Sequence, residues 1–371
     1  MPSFKTIADF RKDNKKAIRR VCTEFVGLCR ELELFSTTLV AIDGNKFKAV
    51  NSRDKNFTRA KMKRRLAEVE ASIERYLSEL DQADQSAPPE DTRSLKDKIA
   101  ALTEEMDRLK KFEVRMLKAP DQQLSLTDPD ARSMKSRGGG IVGYNLQTAV
   151  DVKHHLITVH EVTNVGSDRQ QLTRMAKQAK VALQTEDLTG FADAGYYNGD
   201  ELRSCEDHSI TAYVPHSATS HNKAKGLFDR SEFHYIAADD EYQCPAGERL
   251  IYRFTRTEAG KEIRRYWSSA CPSCPIRAQC TTGKNRRVSR WVHEAIVERA
   301  AARLAAKPDA MKIRRATVEH PYGTLKAWMG STHFLTKTLD HVSTEMSLHV
   351  LAYNIKRVIN LIGTKRLLEA I

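Results

Sequence analysis

Apolar residues recur near the start of the chain at Ile7, Phe10, Ile18, Val21, Phe25, Leu28 and Leu32, with charged residues between them. That spacing predicts one or two amphipathic helices over residues 6–35. LVAID, residues 39–43, is then a short apolar run closed by an acid, which predicts a buried strand with Asp43 at its C-terminal end. From Met62 the helical period returns through Leu66, Val69, Ile73, Tyr76 and Leu80, and again after QSAPPEDT through Leu95, Ile99, Leu102, Met106 and Leu109. Alternating steps of three and four predict a helical hairpin with a coiled-coil seam, turning at Pro88 and Pro89. Arms of about 25 residues would project roughly 35–40 Å. A polar loop, SLTDPDARSMKSRGGG, follows.

IVGYNLQTAVD and HLITVHEVTN predict two strands joined at residues 152–154, DRQQLTRMAKQAKVAL a helix over 168–183, and LTGFAD another strand ending in an acid, Asp193. In a sheet of this order, a helical crossover sets the first and last strands side by side in one direction. Asp43 and Asp193 are thereby expected at one sheet edge, and Asp151 at the hairpin turn. TEMSLHVLAYNIKRVINLI predicts a helix on the core through Met346, Val350, Tyr353, Val358 and Leu361, with Lys356 and Arg357 outside.

A third acid stands in RRATVEHPYGTLKAWMG, where Arg315 precedes Glu319 by four residues and Lys326 follows it by seven. At about 100° per residue the three side chains fall within roughly 60° on a helix. One reading is a surface ion pair contributing about 0.3–0.5 kcal/mol; the other is a phosphate-handling site. Pro321 and Gly323 predict a kink or a junction of two helices. Three carboxylates can hold two Mg²⁺ (or Mn²⁺) ions, one activating the attacking oxygen and one stabilising the leaving oxygen of a phosphodiester.

The net charge of +13 and pI near 9.3 suit a polyanionic partner, most simply nucleic acid. No apolar run approaches 18 residues and MPSFKTIADFRKDNKK lacks a signal-peptide core, so no membrane span is predicted and a cytoplasmic, nucleoid-associated location is expected. Seven cysteines, an odd number, predict free thiols or a metal site rather than a disulfide framework. Cys244, Cys271, Cys274 and Cys280, spaced C-x26-C-x2-C-x5-C, are a candidate zinc set with reduced structural cysteines as the equal alternative. Cys22, Cys29 and Cys205 fall on predicted helices as packing residues. GKNRRVSRWVHE places Arg286, Arg287 and Arg290 beside Trp291, a candidate DNA contact or a solvated loop. His154, His155 and His160 are expected to be strand residues rather than metal ligands.

VAIDGNKFKAVNSRDKNFT, SLTDPDARSM, GYNLQTAVD, HEVTN, ADAGYYNGDE and TVEHPYGTLKAWMG together resemble the DDE transposases of bacterial insertion sequences, over nearly the whole chain. The resemblance implies a ribonuclease H-like mixed α/β sheet with flanking helices, and a catalytic triad of Asp43, Asp193 and Glu319 holding Mg²⁺ or Mn²⁺. It implies cleavage and strand transfer of double-stranded DNA at element ends by a homodimer. Arg315, Glu319 and Lys326 match the Y-x2-R-x3-E-x6-K signature of related transposases, with Lys312 where the tyrosine stands, and the match implies that Arg315 and Lys326 contact the DNA end. Ala194 replaces the basic residue of an ADRGY motif. The chain starts inside the family's basic N-terminal region, so a truncated N-terminus, or a silent DNA-binding remnant, is a rival expectation, as is a nuclease without strand transfer. The resulting division is a helical segment at 1–36, a core from 37–56 and 119–216, the helical hairpin at 57–118, a small cysteine-containing β insertion at 217–295 and a helical end of the core at 296–371.

Overall fold

The computed structural model describes residues 3–83, 89–136, 139–216 and 221–371 of the chain. Among them the helices are α1 (Phe4–Asp13), α2 (Lys15–Glu31), α3 (Arg59–Ala83), α4 (Pro89–Lys118), α5 (Leu172–Leu183), α6 (Gly199–Asp207), α7 (His221–Ala224), α8 (Glu294–Ala306), α9 (Ala310–Gly323) and α10 (Leu339–Ala370). The strands are β1 (Leu39–Lys48), β2 (Asn56–Thr58), β3 (Gln123–Ser125), β4 (Arg132–Ser136), β5 (Gly139–Asp151), β6 (Ile157–Thr163), β7 (Leu188–Phe191), β8 (Ile210–Tyr213), β9 (His234–Ile236), β10 (Glu241–Gln243), β11 (Arg249–Glu258), β12 (Lys261–Trp267) and β13 (Val288–Trp291). They form two compact units, one from residues 1–168, 178–185 and 315–371, the other from 169–177 and 186–314. The architecture is mixed α/β, compatible with a ribonuclease H-like fold.

In the first unit β1 pairs antiparallel with β5 from Val40 opposite Asp151 to Lys48 opposite Gly143. Val40, Ala41 and Ile42 are fully buried, which is why the run is apolar without alternation. Gly143 is required by close approach, since a Cβ there would lie 1.9 Å from the Phe47 carbonyl oxygen. β4 and β6 also pair antiparallel with β5. Asp151 closes the β5–β6 turn as expected: its carboxylate accepts from the backbone N–H groups of Ser36 (2.7 Å) and His154 (2.8 Å). His154 and His155 lie in that turn rather than in a strand; only His160 is on β6.

Helix α10 covers this hairpin. The Asn354 amide accepts from Ile157 N–H (3.0 Å) and donates to Ile157 C=O (2.9 Å), closing the backbone groups at the start of β6. The helical pair α3 and α4 buries Met62, Val69, Leu109 and Met116, with Leu66, Ile73, Leu102 and Met106 against them. All of these but Met116 are among the positions picked out by the three-and-four spacing. Pro89 opens α4, where proline's missing N–H costs nothing; Pro88, the other half of the expected turn, lies outside the described residues. Helix α5 begins at Leu172, later than the expected 168.

The second unit joins a parallel pair, β7 and β8, connected through α6, to an antiparallel sheet in the order β13-β12-β11-β10-β9. That sheet has a small core of Phe233, Tyr242, Leu250, Tyr266 and Val288. Glu206 on α6 ties α8 through Arg299 (2.5 Å) and Arg303 (3.2 Å).

Candidate active site

Asp43 follows the fully buried Val40–Ala41–Ile42 run and is partly exposed. It does not end the strand, as the sequence suggests; β1 continues through Gly44, Asn45, Lys46 and Phe47 to Lys48. The extension survives because its polar side chains find partners far along the chain. Asp168 accepts from the buried amides of Asn145 and Gln147, each at 2.7 Å, and pairs with Lys46 at 3.7 Å. Gly44 sits hard against this cluster: a Cβ there would approach Gln147 Nε2 to 2.3 Å and Asp168 Oδ1 to 2.5 Å. The Asp43 carboxylate itself accepts from Gly44 N–H at 2.9 Å.

Glu319 is carried by α9, which passes through Pro321 and continues as one turn of π-helix, Thr324–Trp328. Proline's missing donor and the widened turn account for the interruption the sequence foretold; the Thr324 hydroxyl donates to His320 C=O at 3.0 Å. Arg315 and Glu319 are both exposed. Among the described residues no ion pair joins either of them to anything, so the i,i+4 surface pair is not made.

Two other side chains of this segment attach it to β1. Tyr322 is buried, and its hydroxyl donates to the carbonyl of Asp43 (2.9 Å) with Thr148 Oγ1 also at 2.9 Å. Lys326 Nζ donates to Asn45 Oδ1 (2.5 Å) and Lys46 C=O (3.1 Å) and stands 4.5 Å from the centre of the Phe47 ring. Burial pushes the Lys326 ammonium below its ordinary pKa.

Glu319 also opens on a cleft of about 460 Å³, lined by His320, Trp328, Tyr353, Lys356 and Arg357. Trp328 is 83% exposed there. His320 bonds Tyr353 Oη at 2.9 Å, and burial, with Arg357 and His155 adding, holds its imidazole below the ordinary pKa. Tyr322 and Trp328 were not singled out from sequence. The one available signal was position, three and nine residues beyond Glu319.

In the second unit Asp193 stands two residues past β7. It caps the short 3-10 turn Ala194–Tyr196 by accepting from Gly195 N–H at 2.8 Å, and its other oxygen faces Arg314 at 3.5 Å. The arginines on and just before β13 divide. Arg290 is buried, makes two bonds to Glu298 (2.5 and 2.9 Å) and lies 3.6 Å from the Tyr235 ring centre. Arg286 turns inward to Phe228 C=O at 3.1 Å. Arg287 remains exposed, over Trp267.

Cys244, Cys271, Cys274 and Cys280 line one cavity of about 30 Å³. Burial, offset in part by Arg286, and the other three cysteines push the Cys280 thiol up. Cys22, Cys29 and Cys205 are buried in packing, and burial pushes their thiols up to about 11, about 12 and about 12. Among the described residues no three His, Cys, Asp or Glu side chains are arranged to hold a metal ion. Nor is any described helix long and apolar enough to cross a membrane.

The chain is mixed α/β, with Asp43 on β1, Asp193 just after β7 and Glu319 on α9. The profile of the transposase DDE domain matches residues 113–355, more than half the chain, and the chain belongs to that family. The match includes Asp193 and Glu319, while Asp43 precedes it. No curated protein and no solved structure matches the chain. The family cuts DNA and generally uses divalent metal.

Proposed function

We propose that this chain cleaves DNA at the ends of a mobile element and joins the freed ends to target DNA, with Asp43, Asp193 and Glu319 as the metal ligands. The observation that carries this reading is Glu319: an exposed carboxylate with no ion-pair partner among the described residues, on a helix whose neighbouring Tyr322 is bonded to the backbone of Asp43 itself. Carboxylate oxygens are the donor set that Mg²⁺ and Mn²⁺ prefer. When bound, such ions supply activation of the attacking oxygen and stabilisation of the leaving oxygen. In the first step a water oxygen bonds phosphorus, the bond to the 3′ oxygen breaks, and that oxygen takes up a proton. In the second the 3′ hydroxyl attacks a target phosphodiester in the same way, exchanging one ester for another. Arg315 is exposed and positioned four residues before Glu319 to meet DNA phosphate; Arg287 is the exposed base of the β13 stretch. Two copies, one per element end, complete the reading.

The test is cleavage of a labelled duplex bearing the DNA that borders the gene, with Mg²⁺, Mn²⁺ or chelator, comparing the chain with Asp193→Asn. Metal-dependent cutting and joined products, both lost in the variant, are expected, with DNA affinity retained. Equal cutting by the variant overturns the triad, cutting without joined products indicates a nuclease, and binding without any cutting indicates a silent DNA-binding remnant. The four cysteines around one cavity are, in the same reading, the donor set of a structural zinc, and metal analysis of the purified chain decides it.

A further inference from the structure

We infer that Tyr322 is a positioning residue that sets the relation between the strand bearing Asp43 and the helix bearing Glu319; this rests on the metal-ligand reading proposed above. Tyr322 lies one helical turn beyond Glu319 on α9. Its hydroxyl reaches three groups on two strands: Asp43 C=O at 2.9 Å, Thr148 Oγ1 at 2.9 Å and Leu146 C=O at 3.3 Å. Asp43 and Thr148 are themselves opposite residues in the β1–β5 ladder. One phenol oxygen therefore joins the acid-bearing helix to both strands at the register position of the acid. Lys326, four residues further on, takes β1 again at Asn45 and Lys46. Two fastenings on one side of α9 fix both its distance from β1 and its rotation, where one would leave it free to pivot. Lys326 lies on the π turn that continues α9 past Pro321.

The chemical consequence follows from what Mg²⁺ demands. Its octahedral shell at short range tolerates little misplacement of a carboxylate, whereas Mn²⁺ accepts more varied sites. Outer groups that orient metal ligands typically matter by about 10–100-fold in metal affinity or activity. Tyr322→Phe keeps the ring and its packing and removes only the oxygen.

The experiment compares the full chain with Tyr322→Phe by Mn²⁺ binding in the absence of DNA, followed by electron paramagnetic resonance. It also measures the Mg²⁺ concentration for half-maximal cleavage, the DNA affinity and the Tm. Expected are metal binding about 10-fold weaker, a matching rise in the Mg²⁺ requirement, cleavage partly restored by Mn²⁺, and unchanged DNA affinity. Thr148→Val, which removes only the partner hydroxyl, is expected to move the metal requirement in the same direction by less. A Tyr322→Phe chain that melts lower yet binds and uses metal as the parent does overturns the inference, leaving Tyr322 as packing alone. A parent chain that neither binds Mn²⁺ nor cuts DNA overturns the metal-ligand reading instead, and this inference with it.

Discussion

The segment around α9 and the small sheet β9 to β13 are both rich in arginine and lysine, yet Arg315 of the first and most arginines of the second stand differently. In and beside the sheet, Arg290 is bonded to Glu298, Arg264 to Asp240 (3.1 Å) and Arg230 to Glu294 (2.8 Å). Positive charge there holds a thin core together. On α9, Arg315 and Glu319 stay exposed without joining each other, although their spacing invites a pair. The chain's +13 charge is available to DNA residue by residue rather than stretch by stretch.

The largest effect that would sharpen this contrast is at Glu319. Glu319→Gln, which keeps size and helix propensity, is expected to abolish metal-dependent cleavage while leaving the unfolding free energy within about 0.5 kcal/mol of the parent, as for an exposed residue without an ion-pair partner among the described residues; substantial residual cutting would remove Glu319 from the site. Arg290→Ala is expected to do the reverse. It should cost about 1–3 kcal/mol in urea unfolding, because the buried Tyr242 and the Glu298 carboxylate lose a partner, with Glu298's half-exposure moderating the loss. A variant of unchanged stability but weakened DNA binding would erase the distinction between the two regions.

Arg315→Ala is a smaller perturbation. Its fold should be unaffected, while the slope of log affinity against log salt decreases by about 1, one phosphate contact; an unchanged slope would place Arg315 off the DNA. Smallest of all is an acid effect in the sheet. Burial acts to raise the Asp240 carboxyl, but the hydroxyls of Tyr235 and Tyr266, with Arg264 and Arg290, bring it below its ordinary value on balance. A lowered folded-state pKa contributes stability above the unfolded value near 3.8, lost as pH falls through and below it. Because Asp240 is partly exposed, the loss should be at most about 1 kcal/mol. Thermal melts between about pH 5 and 2 should fall less steeply for Asp240→Asn than for the parent.

Much of this arrangement was legible in the residues. The order of β1, the β5–β6 hairpin, α5 and β7 follows from apolar runs and helical periods, and the α3–α4 contact positions from the heptads. Burial of Cys22, Cys29 and Cys205 follows from their helical setting. What escaped was whatever depends on partners distant in sequence. The extension of β1 through Asn45 and Lys46 needs Asp168 and Lys326, and nothing in GNKFK announces either. The inward turn of Arg290 needs Glu298 and the Tyr235 ring. Tyr322 reads as an ordinary aromatic until its hydroxyl is seen on the Asp43 carbonyl.

Trp328 gives the site its own optical reporter. The chain has three tryptophans; Trp291 is buried and Trp267 has arginines over its ring, whereas Trp328 is 83% exposed in the cleft beside Glu319. Its emission should lie to the red of the other two and yield first to a dissolved quencher. Occupation of the cleft would then be visible as protection from iodide, without any label on protein or DNA.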